Sequence, residues 1–580
     1  MDKKSKQLSI IGASVLVEVL SKTNINPIWG YPGGSVLNVY DELYKQPKLT
    51  HVLVRNEQTA VYAASISFKL SKKPGICLVT SGPGITNAIT GIVASLSDSH
   101  PLLILSGQVP LKTIGKQAFQ ECDTVNITRT CTKRNFLIRR IQNIHKVLKE
   151  AMYVSNNNKT SPVLADFPKS VSKTLFVCLN EIPPQTHDCF YKREPLSQCS
   201  QQLKQCQNAK ASIIPLSSHL SASNRPLLYI GGGLNNYSTL PELKKTLNSI
   251  GAPSTNTLMN FGTQRTRFNL GMLGMHGKYF SNLSIHYCDL LIAVGSRFDD
   301  RAIGNINHFN SIPRSISYIN VDLSIKRSFK FNVVILEPIK HTFRNLISLL
   351  TRCSTKRIYS PWLHLIKSWK HQSSVVNRSL VSLKDMFYVL EKTTRRQAII
   401  CSDVGQHQMW VAQHFNLHHG KWLNSGGLGA MGSGLSFALG AKVIIPKADV
   451  VCFIGDGSIQ MNLQEFSTLK QLNAPITVLI LNNKSLGMVK QWQRIEHNGR
   501  FSQSTMKTSV NFTNISRSYG HFGLRLGSLK RLVPTFIEAV NQKGCSVVLD
   551  ISLSEHESVW PMVQSGKGIT NMLLRHTDVN

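Results

Sequence analysis

Residues 455–483 read GDGSIQMNLQEFSTLKQLNAPITVLILNN. GDG closes one apolar run, DVVCFIG at 449–455, and NN closes another, ITVLIL at 476–481. Short runs this rich in Val, Ile and Leu are strands buried on both faces, and the helical pattern between them completes a strand–helix–strand unit of a parallel sheet. Neighbouring strands of an open parallel sheet deliver their carboxyl ends to one crevice, where ligands bind. Asp456 and Asn483, far apart in sequence, therefore meet. A carboxylate beside an amide oxygen is hard-oxygen ligation suited to Mg²⁺, which leaves its other positions to water and phosphate. Gly457 permits close backbone approach, and the helix start after it offers N–H groups to a diphosphate. Read alone, GDG and NN are equally two ordinary turns.

The alternation of apolar runs with helical patterns occurs three times. The first set is HVLVR (51–55), ICLVT (76–80), LLILS (102–106) and VLADF (163–167). LLYI (227–230), DLLIAVG (289–295) and ISYINVD (316–322) form the second. The third is AIICS (398–402), DVVCFIG (449–455), ITVLIL (476–481) and SVVLDI (546–551). A chain of 580 residues exceeds what one core supports. The expectation is three doubly wound α/β domains with central parallel sheets, at 8–175, 200–345 and 380–555, and a tail at 556–580. The polar stretch 185–222, rich in Cys and Gln, and the stretch 351–378 read as linkers.

Net charge is +35, from 66 Lys and Arg against 31 Asp and Glu. A typical chain is about 25% charged, so the bases are ordinary in number and the acids are scarce. The bases are also dispersed, without the blocks of about 5–8 that make a nucleic-acid footprint, and no nucleic-acid partner is expected. No apolar run reaches the ~18 residues that span a bilayer, so no membrane is expected either. The twelve Cys stand singly, without a C-x-x-C pair, in apolar runs such as GICLVT and VVCFIG, as buried thiols of a reducing compartment do. Near the start, Glu18 interrupts the apolar run, no small-residue cleavage site follows, and Ile11, Val15 and Val19 recur at helical spacing. A first helix of the fold is expected there, with no transit peptide before it.

GDG followed by NN is also the signature of thiamine diphosphate enzymes, and from about residue 8 to 565 the chain resembles the acetohydroxyacid (acetolactate) synthase catalytic subunits among them. The resemblance is carried by GYPGG (30–34), CLVTSGPGITN (77–87), GQVP (107–110), AFQE (118–121), LGMLGMHG (270–277) and LLIAVGSRFDDR (290–301). It continues in VGQHQMW (404–410), GLGAMGSG (427–434) and LNNKSLGMVKQWQ (481–493). It implies pyrimidine-binding, FAD-binding middle and diphosphate-binding domains, with thiamine diphosphate, Mg²⁺ and FAD as cofactors. Implied metal ligands are Asp456, Asn483 and the carbonyl of Ser485. Gln406, His407, Asp456, Gly457 and Ser458 would contact the diphosphate, and Met431 would hold the cofactor in a V. Glu57, in HVLVRNEQTA, would hydrogen-bond the aminopyrimidine ring, and a carboxyl buried beside an apolar ring suits proton sharing.

Because Glu57 and Asp456 lie in different domains, the cofactor must bridge two sheets. The resemblance implies that these belong to different subunits of an obligate homodimer, with a small regulatory subunit as a further partner. Gly34, Phe119, Gln120 and Lys169 would line the substrate entrance from the other subunit. Arg301 would meet the second substrate's carboxylate, a task for a planar guanidinium, and Trp492 would wall the acceptor's alkyl group. GGG at 231–233 is not G-x-G-x-x-G and is weak alone. With TLM, LGMH and GSRFD it implies FAD on Lys159, Gly232, Thr257, Leu258, Leu273, Gly274, Met275, His276, Gly295, Ser296, Arg297, Phe298, Asp299, Asn320 and Val321.

The chain departs from the pattern at several points. Asn56 stands for a His, ASISFKLSK (64–72) for ADGYARATG, Gln117 for an Asp, Lys159 for an Arg and Asn320 for an Asp. These bear on the hydrogen bonds around Glu57 and on FAD affinity, and they leave the residues of direct chemistry intact. The expected reaction is condensation of two pyruvates, or of pyruvate with 2-oxobutyrate, with loss of CO₂, opening branched-chain amino-acid synthesis in a plastid stroma. The plastid follows from abundant Lys, Asn, Ser and Ile, the drift of an AT-rich genome. A glyoxylate carboligase would lack Glu57, and a pyruvate oxidase would lack RFDDR and QWQ. A catalytically silent subunit is the alternative of another class.

Overall fold

The structure, a computed structural model, describes residues 8–178, 214–236, 248–262, 267–322, 329–337, 342, 359–376, 381–393, 397–415, 417, 421–507, 510–526, 534 and 544–575. Every apolar run quoted above forms a strand, and shorter strands complete three six-stranded sheets, all parallel. In spatial order the first is His51–Leu53, Ile28–Gly30, Gly75–Val79, Leu102–Gln108, Pro162–Pro168 and Arg134–Leu137. The second is Asn269–Met272, Ser254–Asn256, Pro226–Ile230, Leu290–Val294, Ser315–Asn320 and Val333–Leu336. The third is Trp422–Leu423, Ile399–Ser402, Val450–Gly455, Thr477–Asn482, Val547–Ser552 and Phe522–Leu526.

The three sheets share one reversal of strand order. In each, the chain leaves an inner strand toward one edge, then returns to that strand's other side. The crevice at such a switch point is where open α/β sheets bind ligands. The reversals lie between Ile28–Gly30 and Gly75–Val79, between Pro226–Ile230 and Leu290–Val294, and between Ile399–Ser402 and Val450–Gly455. Glycines let the loops close there: a Cβ on Gly33 would lie 2.5 Å from Thr80, and one on Gly231 would lie 2.3 Å from the Gly295 carbonyl oxygen.

The outer sheets are joined by two buried helices, Glu57–Ser65 and Ser433–Ile444, within one continuous apolar core. Gly440 lets the backbones touch, since a Cβ there would stand 2.9 Å from the Ala63 carbonyl oxygen. Polar groups inside this contact are paired: Ser436 Oγ donates to Thr59 Oγ1 at 3.1 Å, and Arg55 N donates to the buried Glu465 Oε1 at 2.9 Å. The middle sheet has its own core.

Two readings of the sequence are corrected. The stretch 351–378 includes the helix Ser360–Val376, whose Trp362 and Ile366 enter the middle core, with Trp362 Nε1 donating to the Pro226 carbonyl. Residues 214–222 of the other stretch are helical and bury Leu216 and Leu220 in the same core. Polar composition hid these faces, because few apolar residues suffice to anchor an amphipathic helix. Residues 185–213 and 351–358 lie outside the described residues. The expected first helix is Gly12–Ser21, preceded by the strand Leu8–Ile11, which pairs antiparallel with Leu175–Cys178. No described helix is long and apolar enough to cross a membrane.

Candidate active site

Beside the switch point of the third sheet, Gly455 pairs with Leu481, which sets Asp456 level with the Asn482–Asn483 turn. A cavity of about 90 Å³ opens there, lined by Val404–His407, Trp410, Met431, Gly455–Ser458, Leu481, Asn483 and Ser485–Val489. Asp456, Asn483 and Ser485 are all buried. Burial pushes the Asp456 carboxyl up to about 7, against backbone N–H groups that favour the charge. A buried carboxylate in that state is suited to a cation. Among the described residues no cluster of three or more His, Cys, Asp or Glu exists, so any metal here would rest on one carboxylate and on amide and carbonyl oxygens, as Mg²⁺ does.

The walls of the cavity are fixed from behind. Asp403, wholly buried, accepts from Val404 N and Gly432 N through Oδ1, at 2.8 and 2.9 Å, and from Gly434 N through Oδ2 at 2.7 Å. It thereby pins the turn carrying Met431 against the loop carrying Gln406. Burial raises Asp403 to about 6. Its role was not read from the sequence, although an Asp just past an apolar strand at a switch point was a signal. His407 is buried with Nε2 unpartnered, and burial lowers it to about 3, so the ring is neutral. Gln406 Oε1 accepts from Asn483 Nδ2 at 3.0 Å. Gly487 is obligatory beside that pair, since a Cβ would lie 2.1 Å from Gln406 Oε1 and 2.6 Å from Asn483 Nδ2.

Glu57 occupies the corresponding crevice of the first sheet. It is buried at the start of its helix, which Asn56 caps by accepting from Gln58 N, and Oε2 accepts from Asn87 Nδ2 at 3.1 Å. Asn56 is thus a cap, a task its amide oxygen performs well. The altered segment 64–72 closes the first helix at Ser65 and forms a second, Ser67–Ser71, ending on Lys72 in the left-handed region with φ 63°. Glu57 does not line the Asp456 cavity, and no residue before Val404 does.

Gly34 is exposed, with nothing within 4 Å of a Cβ placed on it, and Phe119 is 88% exposed. Gln117 and Gln120 hold positive φ in a loop tied by Glu121, which accepts from Gly115 N and Ala118 N. Lys169 opens the helix Lys169–Lys173 and is half-buried. Trp492 also stands apart from the cavity lining; it packs with Ile495, Trp560, Met562 and Leu573, against the tail. Arg301 Nη1 reaches Met275 Sδ at 3.0 Å, and its side chain is 66% exposed, with Asp300 at 3.9 Å. The rival reading of Arg301 as a plain salt-bridge partner gains little from so long and wet a pair.

Past the carboxyl ends of three strands of the middle sheet, Thr257 Oγ1, Ser296 Oγ and His276 Nδ1 are buried without partners. Unpaired buried polar atoms cost free energy, and three at the same end of one sheet fit a polar ligand such as a dinucleotide. Gly232 belongs to the short helix Gly232–Asn236, Leu258 to Leu258–Asn260, and Gly274 and Gly295 hold φ 110° and 56°. Leu273, Met275 and Phe298 are buried nearby, while Arg297 is exposed and donates to the Ser97 carbonyl. Asp299 caps the helix Asp300–Ile303. Lys159 Nζ is bound to Asp322 Oδ2 at 2.6 Å. Asn320 is occupied within the protein: Nδ2 donates to Ser296 O and Tyr318 Oη, and Oδ1 accepts from Val321 N.

Comparison with known families places this architecture among the thiamine pyrophosphate enzymes. Residues 10–127 match the N-terminal TPP binding domain, 215–346 the central domain and 403–550 the C-terminal TPP binding domain. The chain is 37% identical over 579 residues to the acetolactate synthase large subunit of Buchnera aphidicola subsp. Acyrthosiphon pisum (strain APS), covering 98% of this chain and 99% of that one. It is 36% identical to the acetolactate synthase isozyme 3 large subunit of Escherichia coli (strain K12), covering 98% and 99%. With the acetolactate synthase large subunit of Cyanidium caldarium it shares 35% over 99% and 98%. The chain belongs to the acetolactate synthase large subunits.

Proposed function

We propose that the chain condenses two pyruvates to 2-acetolactate and CO₂, or pyruvate with 2-oxobutyrate to 2-aceto-2-hydroxybutyrate, at a site shared by two copies of itself. The observation carrying this is the buried Asp456–Asn483 cavity at the third switch point, with a neutral His407 and a glycine-lined helix start beside it. Asp456, Asn483 and the Ser485 carbonyl would hold Mg²⁺, and Gln406, His407, Gly457 and Ser458 the diphosphate. When bound, thiamine diphosphate supplies the carbon that bonds the first 2-oxoacid and takes up the electron pair left by CO₂. Glu57 would share a proton with the pyrimidine ring, and its burial at the helix start would keep water from that proton. Met431, which lines the cavity, would support the cofactor's rings. Arg301 receives the acceptor's carboxylate, and Trp492 its alkyl group.

Glu57 lies outside the Asp456 cavity, which supports a site completed by the other copy's Glu57, Gly34, Phe119, Gln120 and Lys169. The unpartnered Thr257, Ser296 and His276 atoms support FAD in the middle crevice. Asn320 and the Lys159–Asp322 pair leave fewer free groups for its adenosine. Relatives named large subunits support a smaller regulatory chain. Scarce acids and abundant Lys support a plastid-encoded enzyme of the stroma, with a bacterial cytoplasm as the alternative. The test is purified protein with pyruvate, thiamine diphosphate, Mg²⁺ and FAD, scored for 2-acetolactate. Acetyl phosphate or acetate with peroxide would make it an oxidase, and cofactor uptake without product would make it a silent subunit.

A further inference from the structure

Asn483 can serve a cation only if its carbonyl oxygen, not its nitrogen, faces the cavity. The two ends of an amide are nearly equal in shape, so hydrogen bonds decide which end points where. Here a long local bond from Ser485 N, at 3.3 Å, is backed by a chain of shorter ones that starts at a distance. Val559 N donates to Gln491 Oε1, and Gln491 Nε2 donates to Val559 O, both at 2.9 Å. A backbone N–H cannot accept and a carbonyl cannot donate, so this reciprocal pair admits one orientation of Gln491. With Oε1 an acceptor, Gln406 must turn Nε2 toward it, at 2.9 Å, and the Glu557 carbonyl, 3.1 Å from the same nitrogen, demands the same. Gln406 Oε1 is then left facing Asn483, which answers with Nδ2 at 3.0 Å and presents Oδ1 at the other side, where Ser485 N also donates to it at 3.3 Å. Gln406, Gln491, Asn483 and Val559 are all buried, so water does not scramble the order.

We infer that Gln491 is a positioning residue: through Gln406 it transmits the main-chain polarity of Val559, at the start of the C-terminal segment, to the amide of Asn483, so that a divalent cation finds an oxygen there. The inference rests on the proposed metal role of Asp456 and Asn483. Gln491 lies on the helix Gly487–Glu496, whose side chains include Trp492 against the same segment. Docking of the segment and orientation of the metal ligand are therefore one event. Groups behind a ligand of this kind typically contribute about 10–100-fold to metal affinity.

The test is Mg²⁺ titration of metal-free protein with thiamine diphosphate in solution, read by the change in tryptophan fluorescence, to which the cavity-lining Trp410 contributes, with folding followed by thermal unfolding. Gln491→Met keeps volume and loses the hydrogen bonds. Gln491→Glu keeps the acceptor that Gln406 and Val559 N require, and a carboxyl proton can serve Val559 O. The expected result is a 10–100-fold rise in the Mg²⁺ needed for half-loading in Gln491→Met, with Gln491→Glu much nearer the parent. If Gln491 merely packs, the apolar Met is the better tolerated and the order reverses; a reversed or equal order overturns the inference. Should Gln491→Met not fold, Gln491→Glu decides alone, and a loss of tenfold or more overturns it. Asp456→Ala is the control for the metal reading. If it leaves the Mg²⁺ response unchanged, the metal reading falls and takes the inference with it. If it weakens the response while Gln491→Met does not, only the inference falls.

Discussion

Two buried carboxyls, Glu57 and Asp166, show how differently a protein can use the same group. Glu57 stands at a helix start beside a glycine crevice, with Asn87 as hydrogen-bond partner. Glu57→Gln keeps the shape and removes the acid, so turnover should fall by ~10²–10⁴, the usual worth of a positioned acid–base group. Thiamine diphosphate should still bind, and retained acetolactate formation would remove Glu57 from the chemistry. Asp166 lies inside the first sheet, accepts from Gln108 Nε2 at 3.1 Å, and leaves Oδ1 unpartnered. Burial raises it to about 7. A carboxyl raised above its unfolded value near 3.9 binds its proton more tightly when folded, so stability falls as pH rises from about 4 to about 7. Asp166→Asn removes that cost: it should stabilise the protein by on the order of 2–4 kcal/mol at pH 8 and by nothing at pH 4. Denaturant midpoints that shift equally at both pH values would refute this.

At the scale of the element, the helix Gly487–Glu496 does two things at once. Its glycine end admits the Gln406–Asn483 pair, and its Trp492 packs, as Leu573 does, against the cluster of Ile495, Trp560 and Met562. The sequence marked GMVKQWQ as part of the site and read Trp492 as a wall for the acceptor. Its packing against Trp560 and Met562 is that of a residue holding the loop to the tail. Pyruvate and 2-oxobutyrate differ by one methylene, which a hydrophobic wall can tell apart by only ~1–3 kcal/mol. If Trp492 reads that group, Trp492→Leu should lower the ratio of acetohydroxybutyrate to acetolactate in mixed-substrate assays, while pyruvate alone still reacts. If it only holds the tail, both products should fall together at constant ratio.

For the whole molecule, the separation of Glu57 from the Asp456 cavity has a measurable consequence. In a two-fold dimer with shared sites, a Glu57→Gln chain paired with an Asp456→Ala chain has one doubly altered site and one intact site. Equal mixing with subunit exchange should therefore restore about a quarter of the parent's activity, from two inactive proteins. Sites contained within single chains would restore none. The long apolar runs announced the strands at the centre of the sheets, because a strand covered on both faces must be apolar along its length. Mostly at the edges, Arg134–Leu137, Trp422–Leu423 and Phe522–Leu526 went unread: they are short, and half-covered strands tolerate polar residues. Asp456 and Asn483 were legible because each follows such a buried strand, so strand pairing alone brings them level. The sequence by itself thus determined three parallel sheets and the chemistry placed at their carboxyl ends, since both follow from local pattern. Only the tertiary structure decided that Asp403 pins the Met431 turn, that Trp492 faces the tail, and that Val559 orients Asn483 through two glutamines. Those depend on the direction of hydrogen bonds and on packing between distant segments, and neither leaves a period or a motif in the chain.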